Sequence, residues 1–142
     1  MNTKNNLTFS YIKPDGFKYK DEILERLKAD GFRIVGQVEH KFNLKDAKFF
    51  YGHKEGKSYY NDLLNHTMSG PTILLVLEKE NAVEDFRTLI GDTNPALASE
   101  NTIRDLYGSR DFGPANVIHG SDSDPRAKEE IKYFFPRFNL TA

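Results

Sequence analysis

The distribution of hydrophobic and polar residues along the chain predicts four strands. Residues 7–12 and 32–40 are rich in aromatic and β-branched side chains and alternate in part with polar ones, which is typical of strands. Residues 72–77 are almost entirely apolar, so we expect a central strand that is covered on both faces. The short apolar run 117–118 predicts a fourth, buried strand.

In the second strand we expect Ile34, Gly36 and Val38 on one face, because alternate residues of a strand share a face.

The segments between and after these strands show the periodicity of helices. Capping residues support three of the helices, which begin after Asn43, Ser58 and Asn81. The predicted helical segments are residues 19–30, 45–51, a stretch after 58 that includes Leu63 and Leu64, 82–90, a single turn at 102–107, and about 125–134. The order of elements favours one α/β (α+β) domain over residues 1–142. We predict a ferredoxin-like βαββαβ fold, a four-stranded antiparallel sheet covered by helices on one side.

Composition narrows the classes of function. The 142 residues include 20 basic and 21 acidic side chains and carry a net charge of -1, so no overall field attracts nucleic acid or an anionic membrane. The absence of cysteine excludes disulfides, thiolate zinc sites and cysteine nucleophiles. No apolar run has the length of a signal peptide or a membrane span, and we expect a cytoplasmic protein. The spacing of His40, His53 and His66 does not suggest a metal site, and we expect surface or loop positions for them.

The segment 116–123, N-V-I-H-G-S-D-S, contains the first candidate for chemistry. His119 follows the apolar run, and we expect Gly120 to turn the chain towards the last helix. A strand end can aim an imidazole, and neutral imidazole is a good nucleophile near pH ~7. A single histidine more often satisfies a buried polar contact, so His119 alone leaves both interpretations open.

Three cations and one hydroxyl group form the second candidate set. Lys13 ends the first strand, Arg87 lies on a helix before the long segment 92–101, and Arg104 follows that segment, which itself contains Thr93. Together near one histidine they would suit a polyphosphate, because arginine and lysine match phosphate oxygens. Each alone is weak evidence and is more simply an exposed charge, and the sequence does not show that they converge.

Five ordered blocks decide between these alternatives. They are I-K-P-D-G at 12–16, S-G-P at 69–71, G-D-T-N-P at 91–95, T-I-R at 102–104 and N-V-I-H-G-S-D-S at 116–123. From about residue 7 to residue 135 the chain resembles the nucleoside diphosphate kinase family. The resemblance implies a ping-pong reaction, in which His119 takes the γ-phosphate of a nucleoside triphosphate such as ATP and passes it to a nucleoside diphosphate.

The resemblance also implies roles for the other candidates. Lys13 would hold the phosphates and the ribose, and Tyr51 would stand beside the transferring phosphate. Three residues would bind the phosphates, namely Arg87, Thr93 and Arg104. Asn116 would reach the sugar.

Further implied roles concern the histidine ring, the base and the metal ion. Glu130 would accept a hydrogen bond from one imidazole nitrogen and so expose the other, with support from Ser121. Tyr59 would stack on the base, at a position where the family usually carries phenylalanine. Mg²⁺ would arrive on the nucleotide phosphates rather than in a protein cage.

The chain departs from the family pattern in several places, which include a shorter turn at residues 17–20 and one longer loop. Residues 105–115 form a loop that is about two residues longer, with Gly113, Pro114 and Ala115 where an aliphatic side chain usually covers the base. A catalytically weak nucleotide-binding module of the same fold is therefore the alternative function, whereas a nucleic-acid binder is disfavoured by the balanced charge. The resemblance further implies a homo-oligomer, either a hexamer or a tetramer, with residues 92–101 as a candidate contact between subunits.

Overall fold

A four-stranded antiparallel sheet lies at the centre of the molecule. The computed structural model describes residues 6–109 and 115–140. The strands are β1 (Leu7–Ile12), β2 (Arg33–Lys41), β3 (Pro71–Glu78) and β4 (Ile118–Gly120), in the spatial order β2-β3-β1-β4. All three neighbouring pairs are antiparallel. The predicted ferredoxin-like sheet is confirmed, and β4, the strand that carries His119, lies at one edge.

In residues 6–109 and 115–140, six α-helices and three short 3₁₀ helices connect and flank the strands. The α-helices are α1 (Lys20–Ala29), α2 (Leu44–Tyr51), α3 (Tyr60–Thr67), α4 (Ala82–Ile90), α5 (Ile103–Tyr107) and α6 (Asp124–Phe134). The 3₁₀ helices are Pro14–Tyr19, Gly52–Lys54 and Pro95–Leu97. Asn43 caps α2 in a reciprocal pair with Asp46, as expected for Asn before a helix. Within the described residues no helix is long and apolar enough to cross a membrane.

Helices cover both faces of the sheet, so the prediction of a single covered face is wrong. One hydrophobic cluster joins Leu75 and Leu77 of β3 to Phe86 of α4. The other cluster joins Leu74 and Val76 of the same strand to residues of α2 and α6. Successive residues of β3 point to opposite faces and are nearly all buried, so each face needs its own cover. The predicted central, doubly covered β3 is confirmed.

A β-bulge in β2 overturns the predicted face of this strand. Ile34 pairs with Leu77 of β3, and Gly36 pairs with the next residue, Val76, so one extra residue is inserted between them. Ile34 packs in the first cluster, whereas Gly36 lies against Val76 of the second, so they do not share a face. Val38 is 44% exposed. A local insertion of this kind leaves no signal in the alternation.

Gly120 belongs to β4 and does not turn the chain, which corrects another prediction. A Cβ atom at Gly120 would lie 2.9 Å from Cδ1 of Ile90 and 3.2 Å from Cδ2 of Phe86. The glycine is therefore required for α4 to pack closely on β4. His119 consequently lies inside the strand, and the turn to α6 follows at Ser121, with Ser123 as the N-cap.

Two other predicted caps differ in detail. Ser58 does not cap α3, since the helix begins later and its N-cap is Tyr59, which makes no side-chain capping bond. Asn81 is the N-cap of α4, but it adopts a left-handed conformation with φ of 54° and makes no side-chain capping bond either. These helices are held chiefly by their buried faces, as is usual for short helices in proteins.

Candidate active site

An open cleft of about 1410 Å³ lies beside β4. It brings together residues that are far apart in the sequence and lie on separate elements. The predicted site residues that line it are Lys13, Tyr51, Arg87, Thr93, Arg104, Asn116, His119 and Glu130. The convergence that the sequence did not show is therefore present in the structure.

His119 is held in the cleft by the sheet and by aromatic rings. Its backbone pairs with Tyr11 of β1. The Tyr11 ring lies 5.2 Å from the imidazole, nearly parallel to it, and the Phe50 ring lies at 4.8 Å. Nε2 hydrogen-bonds to Oε1 of Glu130 at 2.9 Å, whereas Nδ1 makes no hydrogen bond within the described chain. An Nε2–H that donates to a carboxylate leaves the lone pair on Nδ1.

Glu130 is a buried carboxylate on α6 with partners for both oxygens. Its side chain is 2% exposed. Oε1 accepts from His119 and also from the hydroxyl of Ser121 at 2.7 Å, and Oε2 accepts from Nε of Arg126 at 2.9 Å. Burial by itself would raise the pKa of Glu130, but the His119 and Ser121 hydrogen bonds and the Arg126 charge hold it below its usual value. The carboxylate therefore stays ionised while it orients the imidazole.

Arg126 is a cleft residue that the sequence reasoning missed. It lies one helical turn before Glu130 on α6, and its guanidinium stacks 4.5 Å from the centre of the Phe49 ring. The only signal in the sequence was the spacing of four residues between Arg126 and Glu130, and that spacing is common on exposed helix faces.

Lys13 projects into the cleft from the end of β1 and is 8% exposed. Its Nζ donates to Oδ1 of Asn116 at 2.6 Å, and the amide of Asn116 donates to the carbonyl of Thr93 at 2.8 Å. Burial, with a smaller contribution from the nearby Arg104 charge, lowers the pKa of Lys13 to about 7. A buried ammonium in this state gains strongly from an added anion.

Arg104 of α5 supplies a second, largely buried cation. Its guanidinium donates to the carbonyls of Gly91 at 3.0 Å and Ile118 at 2.8 Å. Nε is buried and has no hydrogen-bond partner in the described chain. Burial lowers the pKa of Arg104 to about 10, so the side chain keeps its charge near neutral pH. Backbone contacts thus orient a cation that no carboxylate neutralises within 4 Å in residues 6–109 and 115–140.

Arg87 lies at the exposed rim, where its guanidinium reaches the Asp122 carbonyl at 3.4 Å. Three cations of one cleft therefore face one histidine, which is the arrangement expected for a phosphate-rich ligand.

A comparison with protein families matches residues 6–140 of this chain to the family described as nucleoside diphosphate kinase. The chain belongs to the nucleoside diphosphate kinase family. The predicted family, fold and phosphotransferase activity are thereby confirmed.

Curated relatives agree with this assignment. The nucleoside diphosphate kinase of Pasteurella multocida (strain Pm70) is 47% identical over 133 residues, which cover 90% of this chain and 92% of that protein. The nucleoside diphosphate kinase of Prosthecochloris aestuarii (strain DSM 271 / SK 413) is 40% identical over 130 residues, with 90% and 91% covered.

Solved structures of nucleoside diphosphate kinases share the fold. The Aquifex aeolicus enzyme is 31% identical with a TM-score of 0.83, and the match covers 92% of this chain and 94% of that chain. The enzyme of Halobacterium salinarum in complex with CDP is also 31% identical, with a TM-score of 0.84 and 92% and 88% covered.

Tyr51 extends the polar wall of this kinase cleft. Its hydroxyl lies 2.8 Å from the hydroxyl of Tyr11. Burial raises the pKa of Tyr51, and burial also raises the pKa of Tyr11, where the neighbouring Tyr51 hydroxyl and the Glu130 charge add to the effect. Both phenols therefore stay neutral and act as hydrogen-bonding groups.

Tyr59 does not join the other predicted site residues. It precedes α3, is 46% exposed and is not among the residues that line the cleft. In the longer loop, Gly113 and Pro114 lie outside the described residues. Ala115 is described, and its carbonyl accepts from the Ser109 amide at 3.0 Å.

Two of the remaining histidines form hydrogen bonds away from His119. His66 lies in α3 and hydrogen-bonds to Oδ1 of Asp15 at 2.8 Å, and His40 of β2 bonds to Asp46 at 2.9 Å. In the described part of the chain, no group of three or more His, Cys, Asp or Glu side chains is placed to hold a metal ion.

Proposed function

We propose that His119 carries the phosphoryl group in the nucleoside diphosphate kinase reaction of this chain, with Nδ1 as the nucleophile. The observation that carries the proposal is that the two imidazole nitrogens lie in different environments. Nε2 is bound to the buried carboxylate of Glu130, while the ring lines the cleft with Nδ1 free of hydrogen bonds from described residues.

The reaction proceeds in two similar halves. The lone pair of Nδ1 attacks the γ-phosphorus of a nucleoside triphosphate such as ATP, an N–P bond forms, and the bond to the bridging β,γ-oxygen breaks as the diphosphate leaves. A terminal phosphate oxygen of a second nucleoside diphosphate then attacks phosphorus, and the N–P bond breaks. The hydrogen bond from Nε2–H to Glu130 persists throughout, so the ring needs no proton exchange between the two half-reactions.

The cations of the cleft are the proposed phosphate ligands. Lys13, Arg87 and Arg104 would bind the phosphates together with the hydroxyl of Thr93, because these groups converge on one cleft with His119. Charge on the transferring group rises towards the transition state, and fixed cations stabilise it without reorganisation. Asn116, which is already bonded to Lys13, would reach the sugar, and the neutral hydroxyl of Tyr51 would face the transferring phosphate.

The nucleotide itself is the proposed carrier of Mg²⁺. In the described residues, the cleft wall contains the separate carboxylates of Glu84, Asp92, Asp122 and Glu130 rather than a cluster, which fits an ion that is ligated mainly by phosphate oxygens and water. When bound, Mg²⁺ neutralises phosphate charge; the orientation of the nucleophile and the grip on the phosphates come from the protein side chains.

Tyr59 is proposed as the platform for the base. Its exposed ring offers the flat apolar surface that stacking requires. Stacking does not distinguish the edges of the bases, so the site would accept several nucleosides.

A homo-oligomer, either a hexamer or a tetramer, is also proposed. It is supported by Leu97 of the segment 92–101, which is 71% exposed. Sedimentation that shows only monomers would exclude it. The single domain over residues 1–142 and the cytoplasmic location stay predictions.

The test is transfer of label from γ-labelled ATP to the enzyme in the absence of an acceptor, followed by an alkaline quench. Phosphohistidine survives base, whereas a serine ester does not. We expect label that GDP discharges and that is absent from His119→Ala. The variant should still fold and bind nucleotide, because no cation of the described cleft donates a hydrogen bond to the imidazole.

Absence of label from the wild-type enzyme, with nucleotide still bound, would exclude His119 as carrier and favour the catalytically weak nucleotide-binding module. Label retained in His119→Ala would place the phosphoryl group on another residue.

A further inference from the structure

The guanidinium of Arg126 joins three parts of the molecule. Nε donates to Oε2 of Glu130 at 2.9 Å on its own helix. Nη2 donates to the carbonyl of Phe49 on α2 at 3.1 Å, and the guanidinium plane lies 4.5 Å from the Phe49 ring centre. The side chain is 28% exposed and lines the cleft. A fork held at both ends in this way is oriented more strictly than a surface ion pair.

The Arg126 fork adds a permanent charge to the hydrogen bonds from His119 and Ser121 that hold the pKa of Glu130 below its usual value. Ser121 is a neutral donor, and His119 must also be neutral if Nδ1 is to be a nucleophile. Arg126 is therefore the one permanent cation within 4 Å of the Glu130 carboxylate in the described residues. A carboxylate that is 2% exposed and loses its permanent cation is expected to take up a proton or to share one with a neighbour.

Either protonated state removes the nucleophile. If the proton resides on His119, the imidazolium has no lone pair at Nδ1. If it resides on Glu130, the carboxylic acid can donate to Nε2 and favour the tautomer whose hydrogen lies on Nδ1. Arg126 opposes both states, because its positive charge disfavours any additional proton on the pair.

The other titratable groups around the pair do not replace Arg126. Tyr11 of β1 and Tyr51 of α2 stay neutral, because burial raises the pKa of both. Glu129 lies on the solvent side, 3.9 Å from Arg126. Arg104 of α5 faces Tyr51 across the cleft. Lys13 titrates near neutral pH, with a pKa of about 7, so a test must separate its contribution.

We propose that Arg126 is a positioning residue that keeps the His119–Glu130 pair in the proton state required for phosphoryl transfer. This inference rests on the proposed function of His119. Arg126 acts through Glu130 and contacts neither the phosphorus nor the nucleotide.

The experiment is the pH profile of phosphohistidine formation in a single turnover with saturating Mg·ATP. The wild-type enzyme is compared with Arg126→Met, which keeps an apolar stem over Phe49, and with Arg126→Gln. Removal of the charge should raise the lower midpoint of the profile by about one pH unit, so that the rate falls about tenfold below the midpoint and recovers in alkali. Arg126→Lys should restore part of the shift, since one amine cannot hold Glu130 and Phe49 together. The control Lys128→Gln removes one charge from an exposed position of the same helix and should leave the profile unchanged.

A double substitution separates Arg126 from Lys13 and from the nucleotide. In a Glu130→Gln background, Arg126→Met should cause no further shift, because the residue through which Arg126 acts is already neutral. Arg126→Met could instead lower the labelling rate equally in the wild-type and Glu130→Gln backgrounds, or lower it at every pH while weakening nucleotide binding. Either result would mean that Arg126 contacts the nucleotide directly, and it would overturn the proposal. Profiles that superimpose on the wild type would overturn it as well.

Thermal unfolding shows whether the variants fold. If Arg126→Met and Arg126→Gln both fail to fold, Arg126→Lys is the deciding variant. We expect its lower midpoint to rise by less than one pH unit. A profile that superimposes on the wild type would contradict the proposal. A wild-type enzyme that acquires no label would refute the role of His119 itself, whereas a labelled wild type with unshifted variants refutes only the role of Arg126.

Discussion

The Nζ atom of Lys13 lies 2.6 Å from Oδ1 of Asn116, although 103 positions separate the two residues in the chain. The contact aims a buried ammonium at the cleft without neutralising it, because an amide carries no charge. Arg104 lies close enough to disfavour the same ammonium. The protein side of the cleft is therefore short of negative charge, and a nucleotide phosphate would supply it.

Nucleotide binding should take up a proton at Lys13. Since the pKa of Lys13 is lowered to about 7, at pH ~8 the free enzyme holds the side chain mostly neutral, and bound phosphate should restore the ammonium. We expect uptake approaching one proton per ADP at that pH, where phosphate esters are already ionised. Calorimetry in two buffers of different ionisation enthalpy measures it. Lys13→Arg should show no uptake; the same uptake in that variant would assign the proton elsewhere.

Replacement of Lys13 by methionine should stabilise the folded protein in the absence of nucleotide, while weakening phosphate binding. The folded pKa is depressed to about 7 from 10.5, so charging the lysine costs folding stability progressively as the pH falls through that window, and the cost is constant below it. The gain in the free energy of unfolding for Lys13→Met should thus be largest below pH ~7, on the order of 1–3 kcal/mol, and decline towards pH ~10. Urea unfolding at several pH values measures this difference, and a gain that grows with pH would contradict the assignment.

Glu130→Ala should slow labelling less than His119→Ala does. Only the orientation and tautomer of the ring are lost, and a hydrogen bond to a charged group contributes about 1.5–3 kcal/mol, or about 10- to 100-fold in rate. Rapid-quench labelling with ATP gives the rate. Unchanged labelling would remove Glu130 from the site.

Asp46 should stabilise the fold only where it is ionised. Burial would raise its pKa, but hydrogen bonds from His40, the Asn43 amide and Tyr133 hold it below the usual value. This stability is present above the unfolded pKa of about 4 and is lost as the pH falls through the lower folded value. Asp46→Asn should cost about 1–2 kcal/mol at neutral pH and less in acid. Exposed Asp62 provides the control, since Asp62→Asn should change little at any pH; a loss that persists in acid would contradict the role of the charge.

Gly16→Ala should destabilise the protein and slow phosphorylation together. A Cβ atom there would lie 2.5 Å from the carbonyl oxygen of Val117, the acceptor of the Lys13 amide hydrogen. Overpacking against backbone costs about 1–3 kcal/mol, and a displaced Val117 would carry His119 with it. Thermal unfolding and single-turnover labelling measure both effects. Gly52→Ala, whose Cβ would meet only Lys48 at 3.9 Å, is the matched control; equal effects in both variants would argue against the steric cause.

The sequence indicated which residues meet in the cleft, but not the contacts that hold them there. Blocks of neighbouring residues carry His119 and Asn116, and the family resemblance implied their roles, which stay proposals. Gly120 was assigned to a turn because glycine permits one, whereas here it is required by contact with a helix distant in the sequence. Arg126 was missed for the same reason, since the Phe49 carbonyl and ring that orient it lie 77 positions away. Contacts between distant segments leave no periodic signal.

The edge position of β4 has a consequence for synthesis on the ribosome. β4 pairs only with β1, and the carboxylate that orients His119 lies on α6, after it in the chain. β1 leaves the ribosome before β4 and waits for this edge partner until the segments between the two strands have emerged. Since domains fold largely as units during translation, a nascent or prematurely terminated chain that ends before α6 cannot assemble the phosphate-transferring centre. Phosphorylation at His119 would therefore require α6 and would leave chains that end before this helix unlabelled.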